Sequence, residues 1–236
     1  MNALLVHGAG GGAWEWSLWR GVLEAHAIAT HALELRPAVA GLAATTLGDY
    51  QDQVRDALRA LPQPRVMIGA SLGGLLAVMC AAMSEALSAN QADALVLVNP
   101  LPPAPWHRQL PRREWSGAVV SWQRNARLAS TRDALGDADD AAAILAFRHW
   151  RDESVAVLRE AHAGIEVGMP ACPVLLIASA RDEDVPPEII LAMSVEWRAD
   201  RLETLAPGHV GPLLGREAPG VARQAVAWLN RLRLAR

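Results

Sequence analysis

The chain contains no lysine: all 22 basic residues among its 236 are arginine. That absence excludes a Schiff-base lysine, a P-loop lysine and a Ser-Lys dyad. Cysteine is scarce too, with only Cys80 and Cys172, each in an apolar context. Two such thiols make no disulfide framework and read as buried groups of a reducing compartment. No apolar run is long enough to span a bilayer. The opening MNALLVHGAGG lacks the basic segment and long apolar core of a secretory signal, so a cytoplasmic location is expected. A net charge of −3 gives no reason to expect nucleic acid or a membrane surface as a partner. His26 and His31 lack metal-like partners, and His107, His149 and His162 are scattered. No metal and no cofactor is expected.

What is present is apolar enough, at 52% hydrophobic residues, for one well-packed domain. Short, mostly apolar runs at 3–7, 27–35, 66–70, 92–100 and 173–179 read as strands, as does the short segment 201–205. Between them, helices are expected near 14–25, 46–61, 187–197 and 219–232, with a further one in the apolar stretch after Ser71 that reaches Met83. Alternating strands and helices form a mostly parallel sheet with helices on both faces. The pattern changes at 101–169, a Trp- and Arg-rich stretch with no comparable strand and with helices expected at 113–126, 139–150 and 153–163. Residues 1–100 and 170–236 are thus expected to form an α/β core, and 101–169 a helical cap insertion. The cap would lie over the carboxyl ends of the strands, where open α/β sheets bind ligands.

Gly69-Ala70-Ser71-Leu72-Gly73 stands between an expected strand and an expected helix. A G-x-S-x-G sequence there makes a sharp turn with the serine at its tip. The residues two before and two after the serine approach so closely that only glycine fits, hence Gly69 and Gly73. An exposed serine becomes a nucleophile only with a base, and the base needs an orienting acid. His209 is the one titratable residue of the loop Leu205-Ala206-Pro207-Gly208-His209-Val210-Gly211. Asp182, with Glu183 and Asp184 as neighbours, lies just past the strand that ends at Ser179.

The order Ser71, Asp182, His209, in these contexts, resembles the α/β-hydrolase fold over essentially the whole chain. The family's D-x-x-V-P spacing selects Asp182 as the acid. The resemblance makes His7-Gly8-Ala9-Gly10 the oxyanion segment, with the backbone N–H groups of Ala9 and Leu72 as donors. The segment HGAGGGAWEW is similar to the branch of plant methylesterases and hydroxynitrile lyases. Lyases of that branch rely on a cap lysine, which this chain lacks, so hydrolysis of a small ester or thioester is what the resemblance implies. Ala70 stands where a bulkier residue is common, which leaves room beside the nucleophile.

Trp106, Trp122 and Trp150, in the insertion with Trp115 and Phe147, are candidate substrate-binding residues. Arg108, Arg112 and Arg113 could hold an anionic group or simply form a solvated face. Two other readings compete. Gly8-Ala9-Gly10-Gly11-Gly12-Ala13 with Glu34 fits a dinucleotide-binding loop, and an intact hydrolase-like fold could serve only to bind a ligand. Oligomeric state is left open by the sequence.

Overall fold

A computed structural model describes residues 1–82, 91–232 and 234. Among them, β1 (Asn2–Val6), β2 (Ala29–Leu33), β3 (Arg65–Ala70) and β4 (Ala94–Val98) precede the insertion, and β7 (Val174–Ser179) and β8 (Asp200–Thr204) follow it. These six form one sheet in the order β2-β1-β3-β4-β7-β8. Every pairing in it is parallel. The four inner strands are the apolar runs of the sequence, as burial on both faces requires. Alternate residues feed two cores. Leu4, Val6, Met67, Leu95, Leu97 and Leu176 face α2 (Leu47–Arg59), α3 (Leu72–Ala82) and α8 (Pro187–Glu196). Ala3, Leu5, Val66, Ile68, Val96 and Ile177 face α1 (Ser17–Ala25) and α10 (Ala218–Arg231).

The helices start and stop for local reasons. Thr46 and Asp49 form a capping box at the start of α2, with each side chain on the other's backbone N–H. In α3, every residue from Leu72 to Cys80 is buried, which suits a stretch apolar on all sides. The end expected for that helix, Met83, lies outside the described residues.

The insertion differs from its expected outline. Residues 113–126 do not make one helix. Gly117 adopts φ +73°, and the β-branched pair Val119–Val120 forms β5 before a single turn, α4 (Trp122–Asn125). A helix not anticipated, α5 (Leu128–Leu135), follows, then α6 (Asp140–His149). Strand β6 (Glu153–Ser154) pairs antiparallel with β5. Helix α7 (Val155–Ala163) therefore begins later than expected, capped by the Ser154 side chain, which accepts from the Val157 N–H.

The strand order reverses direction at β1: β2 lies on one side and β3 on the other. The crevice at the carboxyl ends of β1 and β3 is thus the topological switch point, where such sheets place their ligands. His7-Gly8-Ala9 leaves one strand there, and Ser71 leaves the other.

Candidate active site

Ser71 sits between β3 and α3 with φ +51°, a left-handed conformation rare for a residue with a side chain. Its backbone holds that shape from both sides. The N–H donates to the Val98 carbonyl at 3.0 Å, and the carbonyl accepts from Gly74 and Leu101, both at 3.0 Å. A Cβ at Gly69 would strike the Gly73 carbonyl oxygen, and a Cβ at Gly73 would strike that of Val6. Backbone atoms cannot move aside, so both positions require glycine. A Cβ at Gly8 would come within 3.3 Å of Ser71 Cβ, so the first glycine after β1 leaves space beside the serine.

Asp182 and His209 meet at the same end of the sheet. His209 Nδ1 is 2.7 Å from Asp182 Oδ2. The other carboxylate oxygen accepts from the backbone N–H groups of Asp184, at 2.8 Å, and Val185, at 3.0 Å. Burial disfavours a charged His209. The Asp182 hydrogen bond and the charges of Asp182 and Asp184 outweigh it, so the imidazole titrates above its usual value.

Asn99, at the end of β4, ties this arrangement together. Its amide nitrogen donates to Ser179 Oγ at 2.9 Å and to the His209 carbonyl at 2.7 Å. Its side-chain oxygen accepts the Ser179 N–H at 2.8 Å. The residue has φ +42°, which asparagine tolerates better than most side chains do. Sequence reasoning missed this residue. The signal was the asparagine itself, placed before Pro100 at a strand end.

The glycine loop after β1 is held by acidic side chains of the chain itself. Gly8 N–H donates to Glu15 at 3.2 Å, Gly10 N–H to Glu153 at 3.1 Å and Ala13 N–H to Glu34 at 2.9 Å. Arg151 pairs with Glu34 and donates to the Leu35 carbonyl at 3.0 Å. His7 is buried, which pushes its imidazole down to about 4. Uncharged, it donates from Nδ1 to the Gly8 carbonyl at 2.7 Å and accepts the Leu35 N–H at Nε2 at 3.1 Å. A dinucleotide pyrophosphate would need donors already committed to carboxylates and would lie against those carboxylates. The dinucleotide reading therefore has no site here. The Ala9 N–H has no hydrogen-bond partner among the described residues. Leu72 is the first residue of α3, where an N–H has no acceptor within the helix.

Sequence reasoning also missed Glu15. It is only 2% exposed, and burial raises its carboxyl to about 8. A glutamate between Trp14 and Trp16, in a stretch otherwise apolar or glycine, was the available signal.

Ser71, His209, Ala9 and Glu15 all border one cavity of about 830 Å³. The insertion and the strand ends complete its lining, with Trp115, Trp122, Trp150, Leu101 and Leu158 among the apolar residues. Trp106, expected in the pocket, is not in its wall. The ring is buried in the core and stacks edge-on against Trp197 at a centroid distance of 5.5 Å, filling space between the start of the insertion and α8. Trp115, packed edge-on against His162, borders the cavity instead. Arg113 reaches the cavity edge but pairs with Asp184. Asp182, Asp184 and His209 bring possible metal-ligand atoms within 4.8 Å of one another. Those atoms are already engaged by each other, by backbone N–H groups and by Arg113.

A model described as the Alpha/beta hydrolase family matches residues 3–224. Solved structures with the same fold include polyneuridine aldehyde esterase, with a TM-score of 0.72 and 17% identity, covering 95% of this chain and 98% of that one. A methylesterase from Arabidopsis gives a TM-score of 0.71 at 13% identity over 98% of both chains. A pyrethroid hydrolase from Sphingobium faniae JZ-2 gives 0.69 at 17% identity over 98% of this chain and 97% of that one. At such identities the likeness shows the fold alone. A search of curated proteins finds no match. No helix among the described residues is long and apolar enough to cross a membrane.

Proposed function

The chain belongs to the alpha/beta hydrolase family, and on that premise we propose that it is a serine hydrolase that cleaves a small carboxylic ester or thioester. One observation carries the reading: Ser71, on a strained turn, borders the same cavity as a histidine whose Nδ1 is bonded to a buried aspartate. Ser71 Oγ attacks the acyl carbonyl while His209 Nε2 takes its proton. Asp182 orients His209 and stabilises the imidazolium. The N–H groups of Ala9 and Leu72 hold the oxyanion, each worth about 3 kcal/mol in the transition state. His209 then protonates the departing alcohol or thiol, leaving an acyl-Ser71 ester. A water, deprotonated by His209, releases the acid and restores the serine.

The esterases and the pyrethroid hydrolase among the similar structures support ester cleavage. The absence of lysine argues against cyanohydrin cleavage by the lyase route. The cavity suits an apolar acyl or alcohol group, with Trp122 and Trp150 as candidate contacts. The free thiols fit a cytoplasmic protein: burial raises Cys80 to about 12 and Cys172 to about 11, so neither is reactive.

The test is fluorophosphonate labelling of wild type and Ser71→Ala, with the modified peptide located by mass spectrometry. Labelling at Ser71, lost in the variant, is expected, followed by turnover in a series of esters and thioesters. A folded wild-type protein that does not label would overturn the reading in favour of a binding scaffold.

A further inference from the structure

Three buried or half-buried carboxylates hold the glycine loop, and they are not equally supplied with donors. Glu153 receives three hydrogen bonds, from Gly10 N–H, Tyr50 Oη–H and Ser154 N–H. Glu34 receives the Ala13 N–H and the Arg151 guanidinium. Glu15 receives one, the Gly8 N–H at 3.2 Å. It is also the one of the three that borders the reaction cavity with Ser71 and His209. A buried carboxylate with a single neutral donor is poorly compensated, and it sheds its charge instead of burying it.

The loop is shaped to hold this side chain. A Cβ at Gly11 would collide with the Glu15 carboxyl, so the carboxyl lies against glycine backbone. Its bond to Gly8 fixes the residue next to Ala9, whose N–H is the proposed oxyanion donor. Resting on the serine-hydrolase reading above, we propose that Glu15 is a positioning residue of the reaction. Its carboxyl fixes the Gly8–Ala9 turn from inside the cavity, and turnover requires that carboxyl to be uncharged.

The physical reason is the sign of the field. The transition state places a negative oxygen at Ala9. An ionised Glu15, whose carboxyl bonds the residue before Ala9 and which is itself buried, would oppose that charge with weak screening. The surrounding charged groups do not remove the effect. His209, from the loop after β8, and Arg151, before β6, favour ionisation, whereas Glu34, after β2, opposes it. Arg151 is committed to Glu34 and the Leu35 carbonyl. Burial dominates all three, so the carboxyl stays protonated up to about pH 8.

The experiment is the rate of fluorophosphonate reaction at Ser71 against pH, from 6 to 10, in wild type, Glu15→Gln and Glu15→Ala. Glutamine keeps an acceptor for the Gly8 N–H and cannot ionise. The wild-type rate is expected to fall about tenfold between pH 7 and 9, as a single ionisation near 8 requires. In Glu15→Gln that fall is absent. In Glu15→Ala the rate is lower than in Glu15→Gln at every pH and no alkaline fall appears, because the turn has lost its support. A fall that persists in Glu15→Gln, or none in wild type, overturns the proposal and leaves the hydrolase reading intact. Failure of wild-type Ser71 to react at any pH overturns both. Should Glu15→Gln not fold, infrared titration of wild type follows the carboxyl itself. The protonated-carboxyl band must then vanish over the same pH range in which labelling slows, and a Glu15 already ionised at pH 6 overturns the proposal.

Discussion

Replacing Glu15 by glutamine also has an equilibrium signature, and its size follows from burial. The carboxyl titrates near 8 in the folded protein, against a usual value of 4.5. Between those values the folded chain keeps a proton that the unfolded chain has lost. Stability therefore falls as pH rises through that window and levels off above about pH 8. Each pH unit is worth about 1.36 kcal/mol, so the wild type loses about 4 kcal/mol from this group between pH 5 and 8. Glutamine does not titrate and escapes the loss. His7 acts in the opposite direction. Its value is depressed to about 4, so it removes stability as pH falls below 6.5. That contribution is common to both proteins and cancels in their difference. Urea unfolding of wild type and Glu15→Gln, in half-unit steps from pH 5 to 9, measures the difference directly. It is expected to shift in favour of the variant by about 4 kcal/mol across the range, with most of the shift below pH 8. A difference that stays constant within about 0.5 kcal/mol would refute the reasoning, because it would mean that Glu15 has the same proton affinity folded and unfolded.

Asn99→Ala removes three hydrogen bonds and leaves the His209 carbonyl and the Ser179 N–H without their partner. Stability should fall by about 1–3 kcal/mol for each orphaned buried group, and kcat should drop far more than KM changes. An unaltered kcat would show that the Asn99 amide does not position His209. Trp106→Ala should destabilise by about 3–5 kcal/mol and leave KM unchanged, since the ring packs on Trp197 in the core. Trp122→Ala, on the cavity wall, should change KM with little loss of stability; equal behaviour of the two variants would contradict this division. Asp184→Asn removes one of the charges that raise His209, so the acid limb of kcat/KM should move to lower pH. A limb that does not move, in a variant that still folds, would rule out that electrostatic contribution.

The parts of this molecule that a reader of the sequence can find are those whose chemistry is local. Strands β1, β3, β4 and β7 are continuous apolar runs because both of their faces are buried, and that pattern needs no tertiary knowledge. Gly69 and Gly73 are legible for the same reason: the turn between strand and helix forbids a side chain whatever surrounds it. Asp182 and His209 follow strand ends, the latter in a loop rich in glycine and proline, so their places can be inferred, although their contact cannot. The insertion was harder because its elements are short. Two-residue strands such as Val119–Val120 carry no readable period, and helical spacing does not say that Trp106 turns toward Trp197.

The roles of Glu15 and Asn99 were hidden for a different reason. Each gains its meaning from partners brought together by sheet register. Val6 is paired with Gly69, Gly69 with Leu97 and Val98 with Ile177, so the segments that follow β1, β3, β4 and β7 emerge side by side. Only then does the amide of Asn99 span the Ser179 and His209 loops, and only then does the Glu15 carboxyl share a cavity with Ser71. A buried glutamate with one donor is a different acid from a glutamate on a surface. The sequence spells both with the same letter, and the difference lies in the desolvation supplied by the fold. In this site the proposed reacting groups are therefore readable from their own neighbourhoods, whereas the groups proposed to orient them and set their charge are readable only from the packing around them.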